Sequence, residues 1–278
     1  MLESVGFIGG AGHSGSTLLG LVLGAHPCVF YAGEANKSLG LGDPAVKLRK
    51  RTCKVCGEGC VVWSKVRAGQ DDLHEALAEI TTRPIVIDST KSLAWLEAQS
   101  ARLSAKKVAL VLFFLGRDGR AVLASSLRKR PETSARAHAA AWVDQIAATE
   151  AFAARFPGTV VRVRYELLAT RTDETIAGCC AALGIAPSDA MRAPWASEQH
   201  PLGGNAGTQS LLEGARTRVG AEHGISGDKR AYYEQHPRSI VLDQRWRREL
   251  SAEALAEFEA VAGETNRAYA WDASEGSA

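Results

Sequence analysis

A glycine-rich turn near the start of the chain, running from Gly10 through Gly12, His13, Ser14, Gly15 and Ser16 to Thr17, has the G-x(4)-G-x-[ST] spacing of a phosphate cradle. Glycines let the backbone wrap an anion, successive N–H groups converge on it, and a helix opening at Thr17 adds the partial positive charge of its N-terminus. In loops that grip ATP or GTP, the residue before the last Ser or Thr is a lysine spanning the β- and γ-phosphates. Ser16 stands there instead, so the turn is an anion site poorly suited to a nucleoside triphosphate. A ligand-free glycine turn is the plain alternative.

A second group of residues has the same chemical leaning. Arg117 follows a long apolar run, with Ser125 eight positions on and Lys129 one turn beyond. A guanidinium offers a planar fork to phosphate oxygens, and a hydroxyl about two helical turns later can complete the cradle. The alternative is a surface Arg117–Asp118 pair in which Asp118 caps the next helix. For proton transfer, Glu34 in Tyr31-Ala-Gly33-Glu34 is the candidate base, against a surface carboxylate as the bland reading. His13 is its rival, because histidine titrates near neutrality. Cys53, Cys56 and Cys60 have partial zinc-ligand spacing, but no C-x-x-C or H-x(3)-H nearby completes a set, and His74 is the nearest histidine downstream. The sequence therefore predicts a packed cysteine loop and no metal.

These residues need a scaffold, and the apolar pattern predicts one. Ser4 to Ile8 reads as a strand running into the glycine turn, followed by a helix from Thr17 to the His26-Pro27 stop. Ile85–Ile87 leads to Asp88-Ser-Thr-Lys91 and a helix to about Leu103. Val108–Leu115 is eight consecutive apolar residues, as in a central strand covered on both faces. Helices over 121–127 and 134–156, a strand over 159–164 and a helix over 172–183 complete the alternation. Strand-helix alternation predicts an α/β, P-loop-like three-layer fold with a mostly parallel central sheet flanked by helices. Parallel sheets collect ligands at the carboxyl ends of their strands, where the glycine turn, Lys91 and Arg117 would converge. The reading is one domain over 1–278. A cysteine-containing insertion at about 35–80 and an irregular acceptor-site or lid segment at about 186–240 interrupt its rhythm.

With 46% hydrophobic and 23% charged residues and a net charge of +2, the chain is an ordinary globular sequence. That charge argues against a general polyanion binder such as a nucleic-acid protein. Its two basic clusters, Lys47/Arg49/Lys50/Arg51 and Arg128/Lys129/Arg130, are equally readable as solvated faces. The N-terminal segment has no basic n-region or cleavage motif, and glycines break its apolar residues, so neither a signal peptide nor a membrane span is expected. The expected location is the cytoplasm, and the six cysteines are expected as thiols rather than a disulfide framework.

Gly12 to Leu19 resembles the 5′-phosphosulfate loop of PAPS-dependent sulfotransferases (PAPS, 3′-phosphoadenosine 5′-phosphosulfate), with His13 where that family usually has Lys or Arg. The run from Phe113 through Arg117 and Ser125 to Lys129 resembles the family's 3′-phosphate element. Further likeness lies in Tyr165-Glu166-Leu-Leu, in the stretch from His200 to Gly203, Gly204 and Asn205, and in Asp243-x-x-Trp246. Where a basic residue often follows that stretch, this chain has Ala206 to Ser210. The resemblance implies PAPS as donor and PAP as product, held by Gly12, His13, Ser14, Gly15, Ser16, Thr17, Arg117, Ser125, Lys129, Tyr165, Gly204 and Asn205. It implies Glu34 as base, by likeness to tyrosylprotein and glycan-type members, and Lys91 and His13 as stabilisers of developing charge. The acceptor would be a hydroxyl or amine of a small molecule, glycan or peptide. Two rival classes remain from the residues themselves: a P-loop kinase or NTPase using Asp88 to hold magnesium, and a non-catalytic nucleotide- or protein-binding module built around the cysteine loop.

Overall fold

The computed structural model describes residues 1–212 and 238–272, so part of the segment read as a lid, 213–237, lies outside the described residues. Among the described residues, five strands form one all-parallel sheet: β1 (Ser4–Gly9), β2 (Val29–Gly33), β3 (Ile85–Asp88), β4 (Ala109–Gly116) and β5 (Thr159–Arg164), in the spatial order β2-β3-β1-β4-β5. The sheet is thus wholly parallel where a mostly parallel one was expected. The strand that the sequence reading missed is β2, which lies at one edge beside β3.

Helices cover both faces. Along β4, Val111, Phe113 and Leu115 join one apolar cluster with Leu19 and Leu23 of α1 (Ser16–Gly24) and with Leu77 of the helix Leu73–Thr81. Leu110, Leu112 and Phe114 join the other, with Leu96 of the helix Leu93–Ala105 and with Trp142 and Ile146 of the helix Ala135–Ala153. That two-faced burial is why β4 is apolar at every position rather than at alternate ones. The C-terminal helix Ala252–Asn266 packs on the second face through Phe258 and Ala262. Caps set several helix starts. Ser92, Asp118, Ser134 and Ser251 each accept an amide from the first turn of the helix they precede.

The stretch 35–80, read from the sequence as an insertion, contains short helical turns and one longer helix. It leaves the end of β2 as a 3-10 turn over Ala35–Gly40, passes through the cysteine turn, and returns to the sheet by the helix Leu73–Thr81. In the later irregular segment, residues 201–205 run alongside the end of β2: the Leu202 amide donates to Ala32 O at 2.9 Å, and the Glu34 amide donates to Leu202 O at 2.6 Å. Among the described residues, no helix is long and apolar enough to cross a membrane.

Candidate active site at the carboxyl ends of the strands

The turn between β1 and α1 adopts the contorted path that its glycines predicted. Gly10, His13 and Gly15 all have positive φ, at 122°, 63° and 93°. Gly15 has a packing reason as well, since a Cβ there would lie 2.7 Å from the Tyr165 ring. The amides from His13 to Thr17 belong to this turn and the first helical turn, whose donors have no intrahelical acceptor. Gly12 is different: its amide donates to Gln145 Oε1 at 3.0 Å, so that group already has a partner in the protein. Ser14 is 1% exposed, and its hydroxyl has no hydrogen-bond partner among the described residues.

Ser16 occupies the position where triphosphate-binding loops have lysine, and an ammonium reaches it from another strand. Lys91 follows β3 and donates from Nζ to Ser16 Oγ at 2.5 Å and to Ser89 O at 3.3 Å. Burial lowers the Lys91 pKa to about 8, against the upward pull of the Glu34 and Asp88 charges. The cation that the loop lacks in sequence is therefore supplied in space.

Arg117 leaves the end of β4 and is 6% exposed, which removes the surface-pair reading of this residue. Its Nη1 donates to His13 O at 3.0 Å, its Nη2 donates to Asp243 O at 3.1 Å, and its guanidinium lies 4.1 Å from the centre of the Tyr165 ring. Nε is buried without a partner among the described residues. Asp118 does cap the following helix, Gly119–Lys129, as the alternative had it, but from a buried position. Tyr165 fixes the far side: its hydroxyl donates to Val241 O at 2.8 Å and accepts the Asp243 amide at 3.0 Å. Burial opposes ionisation of Asp243, yet Arg245 and Arg117 hold its carboxyl well below the ordinary range.

His13 sits beneath this cationic surface. Burial first, then the charges of Lys129, Arg117, Arg128 and Arg130, lower its pKa to about 4. It is neutral at pH 7 in this state and can donate only through its one ring N–H. Ser125 is half-buried, and its hydroxyl accepts from Arg128 Nη2 at 2.9 Å; Lys129 is exposed on the same helix. Glu34 is half-buried and paired with Lys37. Gly204, at φ 89°, leads into Asn205, whose amide donates to Thr17 Oγ1 at 2.9 Å while its side chain accepts the Thr208 amide at 3.0 Å. Asn205 thus meets the loop through its backbone.

The structure brings together the turn, Lys91, Arg117, Tyr165, Gly204 and Asn205 by direct contacts. Ser125 and Lys129 join through the helix after Arg117, and Glu34 through its charge on Lys91. Sequence reasoning missed Gln145, Lys37 and Asp243 as the partner of Arg117. Only Lys37 carried a local signal, its i,i+3 spacing from Glu34. Two buried donors, Ser14 Oγ and Arg117 Nε, have no hydrogen-bond partner among the described residues, and buried polar groups of this kind normally have one.

The sequence matches no protein-family model and no curated protein. Solved structures are nonetheless similar over almost the whole chain. The sulfotransferase domain of the Synechococcus PCC 7002 olefin synthase is 18% identical, with a TM-score of 0.55, covering 98% of this chain and 96% of that domain. The sulfotransferase domain from the curacin biosynthetic pathway is 16% identical, with a TM-score of 0.53, covering 98% and 99%. A mouse sulfotransferase complexed with PAP is 12% identical, with a TM-score of 0.51, covering 96% and 88%. At these identities the likeness establishes the fold, an α/β fold shared with sulfotransferases.

Proposed function

We propose that this chain is a sulfotransferase that moves a sulfuryl group from PAPS to a hydroxyl or amine of a small molecule, glycan or peptide. The observation that carries the reading is the meeting of Lys91 Nζ with Ser16 Oγ, beside a glycine turn whose Ser14 hydroxyl and whose neighbour Arg117 Nε have no partner among the described residues. The shared fold supports the same activity class.

In this reading the amides and hydroxyls from His13 to Thr17 hold the 5′-phosphosulfate, and Arg117, Ser125 and Lys129 hold the 3′-phosphate. PAPS, when bound, supplies the activated sulfuryl group and PAP as the leaving group. Lys91 neutralises charge gathering on the transferring group, and His13 contributes its single N–H. Glu34 takes the proton from the attacking hydroxyl or amine, with Lys37 holding the carboxylate in place. Tyr165 and Asp243 position Arg117.

A magnesium-dependent kinase fits less well. Asp88, the carboxylate available for the metal, is fully buried, and protein donors already occupy it. Oδ1 accepts the amides of Ala35 and Thr90 at 3.2 and 2.8 Å, and Oδ2 accepts Trp95 Nε1 at 2.8 Å, with His74 Nε2 3.4 Å away.

Thermal unfolding with PAP, adenosine 5′-phosphate, or ATP plus magnesium tests the donor. A hundredfold excess over Kd stabilises by about 2.7 kcal/mol, a rise in Tm of roughly 4–8 °C for a chain of this size. PAP gives that rise, and Arg117→Ala abolishes it. A response to ATP with magnesium and none to PAP rejects the proposal.

A further inference from the structure

The cysteine turn has a fourth member that no local spacing announced. Cys53, Cys56 and Cys60 meet His200, about 140 residues away, with their ligand atoms all within 4.8 Å of one another. His200 Nδ1 lies 3.1 Å from Cys56 Sγ and 3.7 Å from Cys60 Sγ. Four ligands at ~2.0–2.3 Å around a tetrahedral zinc are themselves roughly 3.5–3.8 Å apart, so a small contraction of this cluster encloses one ion. A thiolate-bound iron–sulfur cluster would need its cysteines farther apart.

The surroundings have the features of a metal site rather than of a chance cluster of thiols. The amides of Val55 and Cys56 each donate to Cys53 Sγ at 3.4 Å, and Gly57 turns the chain at a φ of 69°. The other ring nitrogen of His200, Nε2, lies 3.2 Å from Glu198 Oε1. A proton on Nε2 shared with that carboxylate leaves the Nδ1 lone pair facing the thiols, the arrangement that orients metal-bound histidines. Cys53 and Cys60 are buried, and the His200 side chain is 12% exposed. The buried His74 is not part of the cluster; it packs between Asp88 and Phe7.

We propose that Cys53, Cys56, Cys60 and His200 form a structural zinc site that ties the cysteine insertion to the loop 200–205. All four positions are filled by protein, which is the pattern of a structural rather than a catalytic zinc. Binding releases the protons of the three thiols to solvent. Zn²⁺ with three thiolates and a neutral imidazole leaves a net charge of −1. Hydrogen bonds join the same two segments. Trp63 Nε1 donates to His200 O at 2.6 Å and the Lys54 amide to Pro201 O at 3.1 Å. The next residues then bond to Ala32, Glu34 and Thr17 through Leu202 and Asn205. The ion thereby holds the loop that lies against both Glu34 and the glycine turn.

The test uses the full chain, produced with added zinc and without a histidine tag, and none of its readouts depends on sulfuryl transfer. Elemental analysis should find about one zinc per chain. Cobalt in its place should give the visible spectrum of a tetrahedral thiolate site, and Cys56→Ser should lower metal content at least tenfold. Stripping the wild-type protein with a chelator should accelerate amide exchange at Leu202 and Asn205 at least tenfold while leaving β1 and β4 protected. Zinc-free protein that takes up no added zinc, or a disulfide within the cysteine trio, overturns the site. Exchange at Leu202 and Asn205 that is unchanged by metal removal overturns the clamp.

Discussion

Replacing Lys91 by methionine removes an ammonium while keeping an unbranched chain of similar length, so the side chain should still pack beneath Ser16. What disappears is a charge-assisted donor aimed at the position that a lysine holds in triphosphate-binding loops. Such a donor is worth about 1.5–3 kcal/mol, or roughly 10- to 150-fold at 1.4 kcal/mol per tenfold. The loss should appear mainly in turnover of PAPS and only weakly in affinity for PAP, because PAP lacks the sulfuryl group that Lys91 would face in PAPS. The pH dependence gives an independent readout. Burial lowers the Lys91 pKa to about 8, and the charged form is the one that attracts an anion. PAPS turnover should therefore fall as pH rises through about 8 in the wild type, and this limb should be missing in Lys91→Met. Calorimetric titration with PAP and initial rates with PAPS across pH measure both. Turnover within about twofold of wild type, or an unchanged alkaline limb in the variant, refutes the role.

Other expectations follow from the same geometry. His13 should titrate near pH 4 by NMR in the free protein and move upward when PAP is bound, since burial and the charges of Lys129, Arg117, Arg128 and Arg130 depress it and a bound anion offsets those charges; titration near its ordinary value in the free protein would contradict these buried, cationic surroundings. Glu34→Gln should reduce transfer to an accepted substrate by about 10²- to 10⁴-fold with PAP affinity retained, and near-normal turnover would remove it as base. Asp88→Asn should cost about 1–3 kcal/mol in denaturant unfolding near neutral pH. Burial works against the Asp88 charge, but the contacts of His74, Thr90 and Trp95 keep its folded pKa below the unfolded one. The wild type's advantage is therefore present above the unfolded pKa and is lost as pH falls through the folded one. A variant gap that widens in acid would contradict this.

Much of the scaffold was legible because its strongest elements are locally overdetermined. An eight-residue apolar run can be little else than β4, and Gly10, Gly15 and Thr17 mark a turn that only certain backbones can make. The ends of β1, β3 and β4 therefore announced the glycine turn, Lys91 and Arg117 as neighbours from the sequence alone. The edge strand β2 was obscured because its five residues follow directly on a helix stop and carry no alternation, all being buried. The second half of the site was illegible for a different reason. Arg117 with Asp243, Gly12 with Gln145, and the cysteine turn with His200 are contacts across 126, 133 and roughly 140 residues. Periodicity and spacing carry no information at that range, and only the folded chain brings such partners together.

The most direct measurement is group transfer itself. The protein is incubated with radiosulfur-labelled PAPS and a mixture of hydroxyl- and amine-bearing small molecules, glycans and peptides, beside Lys91→Met as control. Label should appear in an organic acceptor, with one PAP released for each sulfuryl group moved, and should be strongly reduced in the control. No transfer from PAPS, together with magnesium-dependent transfer of phosphate from labelled ATP to the same mixture, would contradict it.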